Sequence, residues 1–227
     1  MKKIMIMTVV FACSLFAQSY KVEKVQGSVK ALIGNSEQWI DVKEGTMVSS
    51  STVLMTDKNA LIMLSGRGIK FTLKPSAALS VNSLKRMTID ELLLALAMEE
   101  ILSTPAKRKN DKTINTAIYG TDEGGIKTAA MPANILGDLK LNGAKQLADN
   151  GFKETAILAA KETYRKYPAT QKNVVARLFF AEQMMNLSLF GEAYTEFTEI
   201  QNLQLNDSQA KEVQTKIELL KKKLAGM

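Results

Sequence analysis

The sequence predicts an α+β fold, with an all-β half at the N-terminal end and α-helical hairpins at the C-terminal end. Residues 20–86 alternate apolar and polar side chains in short runs between turn signals, which is typical of β-strands. From about residue 134 the apolar residues follow helical spacing, and small side chains recur after 37 positions, as Ala144 and Ala181 do. An apolar segment and a charged linker join these two halves.

The first nineteen residues have the order of a secretory signal peptide. Two lysines precede the almost unbroken apolar stretch 4–16, and small residues follow at Ala17 and Ser19. This stretch is shorter than the ~20 residues that a membrane-spanning helix needs, so we expect cleavage after Ala17 or after Ser19. The sequence therefore predicts an exported, periplasmic protein with a signal peptide over residues 1–19.

The single cysteine, Cys13, leaves a second interpretation of this leader open. The run Val10-Phe11-Ala12-Cys13 loosely resembles a lipoprotein cleavage box, in which a small residue precedes a lipid-accepting cysteine. Phe11 is bulky for such a box, so an ordinary leader cysteine is the favoured interpretation. We expect contact with a membrane only through a lipid anchor at Cys13.

Composition excludes several kinds of chemistry. The chain has no histidine and its one cysteine lies in the leader, so the mature protein would lack disulfides, Ser-His-Asp triads and the favoured ligands of zinc, copper and haem. We therefore expect no metal and no cofactor. The formal charge is +7, from 30 basic and 23 acidic residues. Such an excess is typical of plain solubility, and outside the cytoplasm it also favours anionic lipid headgroups or cell-wall polymers over nucleic acid.

Residues 20–86 are predicted to form a series of short strands. Apolar and polar residues alternate over 29–33 and 69–73, and the apolar run 60–64 predicts a strand that is buried on both faces. The segment Gly66-Arg67-Gly68 is one of several evenly spaced turn signals. No phosphate-binding lysine and helix follow it, so it is interpreted as a hairpin turn rather than a phosphate loop.

Glycines and apolar residues in this half occur in a recognisable order: Gly27-x-Val29, Trp39, Val42-x-x-Gly45, Val53-x-x-Thr56, Ala60-x-Ile62-x-Leu64, Phe71-x-Leu73-x-Pro75 and Leu79. In this order residues 22–86 resemble the FecR domain, an all-β periplasmic module. The resemblance implies a β domain and an exported protein. Iron-uptake regulators of that family carry an anti-sigma segment and a membrane helix before the domain. The sequence has neither pattern, so their transmembrane signalling role is not implied.

Residues 87–133 are predicted to contain a helix and a charged linker. Thr88 is placed to cap a helix over 88–103, which begins with acids and is otherwise very apolar, so it should pack onto one of the two halves. The basic run 107–112 is interpreted as a solvated tether, with an anionic-polymer site as the alternative. Residues 113–120 are either one more strand or ordered linker.

Residues 134–227 contain the small and aromatic positions of paired helices in two copies. A shift of 37 residues aligns Leu141 with Leu178, Ala144 with Ala181, Leu147 with Met184 and Ala156 with Ala193. Gly151 falls at the first inter-helix turn and Pro168 where the first unit closes. This pattern resembles the tetratricopeptide repeat, which implies helix–turn–helix units that bind partners. A final helix, 207–224, is predicted to start at Asp207 or Ser208 and to cap the array.

On the register of that repeat family, the positions that face the binding groove are Lys145, Ala148, Leu178, Glu182 and Met185. Of these, Lys145, Leu178, Glu182 and Met185 are the candidate partner-binding residues. No catalytic, cofactor-binding or metal-binding residue is predicted. Glu99 and Glu100 are adjacent, so on a helix they point about 100° apart and do not form a facing acid–base pair.

These observations predict an exported, non-catalytic protein of a bacterial envelope that acts as a protein–protein interaction adaptor for another envelope protein. One alternative is a periplasmic sensor component that passes a signal to a membrane partner. A second alternative is a protein that binds an anionic cell-wall polymer. A third, a carboxylate-based hydrolase of cell-wall glycans, would require two acids about 5–10 Å apart across one cleft, and no spacing in the sequence suggests them.

Overall fold

The structure is a computed structural model that describes residues 19–34, 36, 38–103 and 132–226, and it confirms the α+β class. Strands occupy the N-terminal half of this part of the chain, and helices follow. The leader up to residue 18 and the linker 104–131 lie outside the described residues. The interpretations of Cys13, the basic run and residues 113–120 therefore stay predictions.

Eight strands form two sheets within the described residues. They are β1 (Ser19–Gln26), β2 (Val29–Ile33), β3 (Ile40–Asp41), β4 (Met47–Ser49), β5 (Thr52–Thr56), β6 (Leu61–Gly66), β7 (Ile69–Leu73) and β8 (Ala77–Ser80). The first sheet has the order β4-β1-β6-β7 and the second the order β3-β2-β5-β8. All neighbouring strands are antiparallel, so short turns suffice to connect many of them.

Strand β1 begins inside the predicted leader. Ser19 pairs with Ser49 of β4 and is the first residue of the strand. Cleavage after Ala17 would keep β1 whole, whereas cleavage after Ser19 would remove one of its paired residues. The sheet therefore favours the earlier of the two predicted cleavage sites.

Both sheets contribute to one apolar core, because alternate side chains of each strand point inward. Val22 and Leu64 of the first sheet and Ala31 and Leu54 of the second are almost fully buried. The prediction that the run 60–64 is buried on both faces is wrong. Ile62 and Leu64 are buried, but Met63 between them is exposed, because the other face of β6 reaches solvent there.

A two-residue turn joins β6 to β7, as predicted. Arg67 and Gly68 both have left-handed backbone, with φ values of 53° and 74°. Two successive positive φ angles match the right-handed twist of a β-hairpin. Glycine adopts this conformation freely, whereas the Cβ of Arg67 makes it unfavourable by about 1 kcal/mol.

Six helices follow in the described part of the chain: α1 (Ile89–Ser103), α2 (Ala133–Asp149), α3 (Lys153–Lys166), α4 (Val174–Asn186), α5 (Phe190–Gln201) and α6 (Asp207–Ala225). The predicted helical pairs are present: α2 packs on α3, α4 on α5, and α6 closes the row by packing on α5. The turn at residues 150–152 connects α2 to α3, and the turn at residues 187–189 connects α4 to α5. Their middle residues, Gly151 and Ser188, lie 37 positions apart and both have positive φ, 82° and 61°.

Helix α1 begins as the sequence predicts. The Glu91 amide donates to Thr88 Oγ1 at 3.2 Å, and the Thr88 amide donates to Glu91 Oε2 at 2.8 Å, which is a capping box. The helix packs on α3 and buries Leu92. Its apolar residues on the far side are 57 to 72% exposed; they are Leu94, Met98, Ile101 and Leu102.

Helix α6 begins at Asp207, one of the two predicted start residues. The cap is Asn206, whose side chain accepts a hydrogen bond from the Gln209 amide at 2.9 Å while Gln209 Oε1 accepts one from the Asn206 amide at 3.1 Å. Asp207 is therefore the first helical residue. Its carboxylate suits the positive end of the helix dipole there.

The β half and the helical half are docked onto each other through α2 and the edge strand β8. At Gly143 a Cβ would stand 2.0 Å from the Ala78 carbonyl oxygen, so only glycine allows this approach. The Asn142 side chain donates to the Ser76 carbonyl at 2.6 Å, and the Lys74 amide donates to Gln146 Oε1 at 2.7 Å. The helix thus covers a sheet edge and satisfies backbone groups beside it.

A second set of contacts fixes α3 to the same half. Thr155 Oγ1 donates to the Lys85 carbonyl at 2.8 Å, and Phe152 lies edge-on to Phe71 with 6.3 Å between ring centroids. Residues of both halves belong to one apolar core. Surfaces that combine residues from the two halves are therefore held in a fixed geometry.

Candidate functional site: a groove between four helices

A groove of about 630 Å³ lies between α1, α3, α4 and α5. Helix α1 forms one wall because it packs along α3 without covering α5. Apolar side chains from α1 and α4 contribute part of the lining: Leu93, Leu96, Ala97 and Met184. Charged residues contribute most of the rest: Glu99, Glu100, Lys161, Arg165, Arg177, Glu192 and Glu199.

A buried ion-pair network supports this groove. Glu196 of α5 is 1% exposed, and its carboxylate accepts a hydrogen bond from Arg177 Nε at 2.5 Å and one from Lys161 Nζ at 2.5 Å. The same arginine donates through Nη2 to Glu199 Oε2 at 2.5 Å. Three helices, α3, α4 and α5, are therefore joined through one carboxylate. Such a charge is tolerated in a core only because it is paired on both oxygens.

Glu196 and Arg177 keep their charges at neutral pH. Burial on its own raises the pKa of Glu196, but Lys161 and Arg177 more than offset this effect and hold that pKa below its usual value. For Arg177, burial lowers the pKa, and the bonds to Glu196 and Glu199 more than offset it, so that the pKa is raised. Both partners consequently stay ionised.

A second ion pair fixes the wall of the groove. Arg165 of α3 donates to Glu99 of α1 through Nε at 2.7 Å and through Nη2 at 3.1 Å. This fork engages both carboxylate oxygens, which is the most directional geometry that an arginine and a carboxylate can form. It attaches α1 to the helical half near the C-terminal end of α1.

Tyr164 lies at the floor of the groove. Its hydroxyl oxygen is buried and has no hydrogen-bond partner within the described part of the chain. The Arg177 guanidinium carbon lies 5.9 Å from the centre of its ring. Burial, and next the negative charge of Glu196, raise the pKa of Tyr164, with Arg177 acting in the opposite direction. The hydroxyl is therefore neutral and protonated, and it is a donor that the described residues leave unused.

Negative charge predominates at the groove. Four carboxylates line it, from Glu99, Glu100, Glu192 and Glu199, against the three cations Lys161, Arg165 and Arg177. All three of these cations make the ion pairs described above, and Glu196 beneath them adds a fifth carboxylate. The net charge of these residues is therefore negative, and it lies next to apolar side chains of α1.

The residues predicted as a partner-binding surface lie elsewhere on the helices. Glu182 of α4 accepts a hydrogen bond from Lys216 Nζ of α6 at 2.8 Å, and Leu178 and Met185 are half-buried against the second apolar core. Lys145 of α2 places its Nζ 5.8 Å from the Phe179 ring centre, and burial lowers its pKa. The structure thus joins α4 to α6 and to α2 through these side chains but brings none of them into the groove.

Sequence reasoning missed the groove because its charges come from four helices. One signal was present. Glu196 lies on the apolar face of α5 with Ala193, Phe197 and Ile200, all fully buried. An acid on such a stripe requires a cationic partner, and Arg177 on the buried side of α4 supplies one.

Comparisons with protein-family models, with curated proteins and with solved structures find no match to this chain. No helix in the described ranges is long and apolar enough to cross a membrane. The same residues contain no group of three or more histidine, cysteine, aspartate or glutamate side chains arranged to hold a metal ion. The likenesses to the FecR domain and to the tetratricopeptide repeat remain interpretations of the sequence.

Proposed function

We propose that this protein is an exported, non-catalytic adaptor of the bacterial envelope. It binds, in the groove between α1, α3, α4 and α5, a segment of a partner protein that carries basic and apolar side chains. The observation that carries this proposal is the excess of carboxylates around a groove whose own cations are already paired.

Charge decides the chemistry of the partner. A lysine or arginine entering the groove would meet the Glu192 carboxylate of α5. An acidic segment would be repelled, since complementary charge selects partners and suppresses wrong ones. Leu93 and Leu96 offer apolar contact for the rest of the segment.

Rigidity supports the same proposal. The Arg165–Glu99 fork holds α1 in place, and the Glu196 network holds α3, α4 and α5 together. A groove that is formed before its partner arrives loses little conformational entropy on binding. This is the property expected of an adaptor.

The carboxylates support a binding role over a catalytic one. A general acid that works near neutral pH needs a raised pKa, whereas the pKa of Glu196 is lowered. Glu99 has both oxygens engaged by Arg165. Glu196 is thus held in its ionised form by Lys161 and Arg177.

Export remains part of the proposal because of the leader-like residues 1–19 and the likeness of residues 22–86 to a periplasmic module. The partner is then an envelope protein. A sensor component that passes a signal to a membrane partner would use the same groove. It would differ from an adaptor only in that the bound partner transmits a signal.

The proposal is tested by photo-crosslinking in the native envelope. A benzoylphenylalanine at position 195 would project from α5 at the groove, because Thr195 is exposed and lines it. Position 215 of α6 is the matched control. Thr215 is also exposed, and each of these threonines donates its hydroxyl to the carbonyl four residues earlier.

We expect one dominant adduct from position 195, absent from position 215, whose crosslinked segment is basic and apolar when mapped by mass spectrometry. An acidic segment, or the same adducts from both positions, would contradict the proposal.

A further inference from the structure

A second concave surface has a different chemistry. A cleft of about 550 Å³ lies where the β6–β7 turn, the segment before α1 and the α2–α3 turn meet. Four of its nine lining residues are cations, Arg67, Lys70, Lys85 and Arg86, and none of the nine is acidic. Asn150 and Phe152 close the side that belongs to the helical half.

The cations come from separate elements that the fold brings together. Arg67 and Lys70 flank the start of β7, and Lys85 and Arg86 follow the short 3₁₀ helix Val81–Ser83. Tyr20 of β1 connects these two segments: its hydroxyl donates to the Leu84 carbonyl, and the Arg67 guanidinium is close enough to influence its ionisation. A buried side chain thus connects the turn that carries Arg67 to the segment that carries Lys85 and Arg86.

The two arginines are also held individually. Arg67 occupies a left-handed position in the hairpin turn, where glycine, asparagine or aspartate would be less strained. The Arg86 guanidinium carbon lies 5.5 Å from the centre of the Phe152 ring. An unfavourable backbone conformation at a charged residue in a cleft indicates selection for the side chain rather than for the turn.

Neighbouring acids lie outside the cleft. The charge of Lys70 helps to lower the pKa of Glu23, but the Glu23 carboxylate accepts hydrogen bonds from Ser65 and Lys21. The charge of Lys85 likewise helps to lower the pKa of Glu91, whose carboxylate accepts hydrogen bonds from Thr88 at the start of α1. Four like charges around one concavity repel each other and raise the local potential, which favours an anion with more than one negative charge.

We propose that this cleft binds a phosphate group, with Arg67 and Arg86 as the forked donors and Lys70 and Lys85 as the flanking charges. Guanidinium groups match the oxygens of a phosphate in a bidentate manner, and lysines add charge without such directionality. The phosphate belongs either to a lipid headgroup or to a soluble phosphate compound. This inference is independent of the groove, since the two surfaces share no residue.

Calorimetric titration of the purified protein with pyrophosphate at low salt tests the inference. The variant Lys70→Gln/Lys85→Gln removes two charges from the cleft. The matched control is Lys43→Gln/Lys58→Gln, which removes two charges from exposed lysines that do not line it.

We expect one pyrophosphate bound per chain, about tenfold weaker binding in the cleft variant and less than about twofold change in the control. Equal weakening in both variants, or no saturable binding to the wild type, would overturn the inference.

Binding to vesicles of phosphatidylcholine, with and without phosphatidylglycerol, identifies whether the phosphate belongs to a lipid or to a soluble compound. Retention on the phosphatidylglycerol vesicles that pyrophosphate reverses indicates a lipid headgroup, and pyrophosphate binding without retention indicates a soluble phosphate compound.

Discussion

The two helical hairpins share one backbone plan and present different chemistry to their neighbours. In the α2–α3 hairpin, Gly143 removes a side chain so that the helix can lie against Ala78 of the sheet. In the α4–α5 hairpin, Arg177 and Glu196 place charges inside the core and beside a groove. In the first hairpin a missing side chain allows the helix to dock on the sheet. In the second hairpin a pair of opposite charges supports a binding surface.

The features that the two hairpins share and the features in which they differ have different physical causes. The turn, the small residues and the pairing of helices recur after 37 positions because each hairpin must bring two helices together. The outer faces diverge because the α2–α3 hairpin meets the sheet and α1, whereas the α4–α5 hairpin meets α6. Substitutions at matched positions of the two hairpins should separate the effects of helix pairing from the effects of the outer contacts.

The largest effect is expected at the docking contact. Gly143→Val places side-chain atoms where the Ala78 carbonyl now lies, so we expect a loss of about 4 kcal/mol or more in the free energy of unfolding. Gly191→Ala in α5 is the matched control. A Cβ there meets nothing within 4 Å, and we expect no loss and up to about 1 kcal/mol of gain. Urea unfolding of both variants checks this; an equal response would contradict the docking account.

The next effect is expected at the buried carboxylate. Glu196→Gln leaves Arg177 and Lys161 without their shared counter-charge, so we expect a loss of about 3 kcal/mol at pH 7. Glu182→Gln removes a partly exposed ion pair with Lys216 from the same hairpin and should lose less than about 1 kcal/mol. Similar losses in the two variants would show that the network contributes no more than a surface pair.

Acid should reduce the difference between wild type and Glu196→Gln. The pKa of Glu196 is lower in the folded state than in the unfolded chain. Its stabilising contribution is therefore present above the unfolded pKa of about 4.3 and is lost as the pH falls through the folded value. The difference in unfolding free energy between wild type and Glu196→Gln should therefore be smaller at pH 3 than at pH 7. A constant difference would contradict the assignment.

A smaller pair of effects is expected at the hairpin turns. Gly151→Ala should lose about 1 kcal/mol, because a Cβ disfavours the left-handed backbone at φ 82°. Ser188→Gly should gain up to about 1 kcal/mol at the matching position, where serine already has φ 61°. Thermal unfolding of the two variants should show shifts of opposite sign; shifts of the same sign would contradict the equivalence of the turns.

The smallest effect is expected at the unpartnered hydroxyl. Tyr164→Phe removes a buried donor that no described residue uses, so we expect a gain of about 0.5 kcal/mol. Tyr20→Phe is the contrast, because its hydroxyl donates to Leu84 and its loss should destabilise the protein by about 1 kcal/mol.

The pKa of Tyr164 is raised in the folded state, so wild type should lose stability above about pH 10 and Tyr164→Phe should lose less. Destabilisation by Tyr164→Phe at pH 7 would show that the hydroxyl has a partner.

Local patterns were enough to predict the elements. The Thr88 cap, the hairpin turn at Arg67 and Gly68, and the paired helices all depend on residues close in sequence, and the structure confirms them. The face of β6 that carries Met63 was wrongly predicted to be buried, because its burial depends on which neighbouring groups it meets.

Neither binding surface could be predicted, for a physical reason. The groove unites charges from residues 99 to 199 and exists only after α1 packs on the helical half. The cleft unites Arg67 with Phe152 and exists only after the β half and the helical half dock. Periodicity reports which face of a helix is apolar but not which helix it will meet. Only Glu196, an acid on an apolar stripe, indicated such a partner in advance.

The most direct test of the account is the crosslink from position 195 measured in wild type, in Glu192→Lys and in Glu212→Lys. Glu192 lines the groove, whereas Glu212 is exposed on α6 away from it, so the two variants change the net charge equally. The account predicts that the yield of the basic, apolar segment falls several-fold in Glu192→Lys and stays unchanged in Glu212→Lys. Equal yields in all three proteins would contradict it.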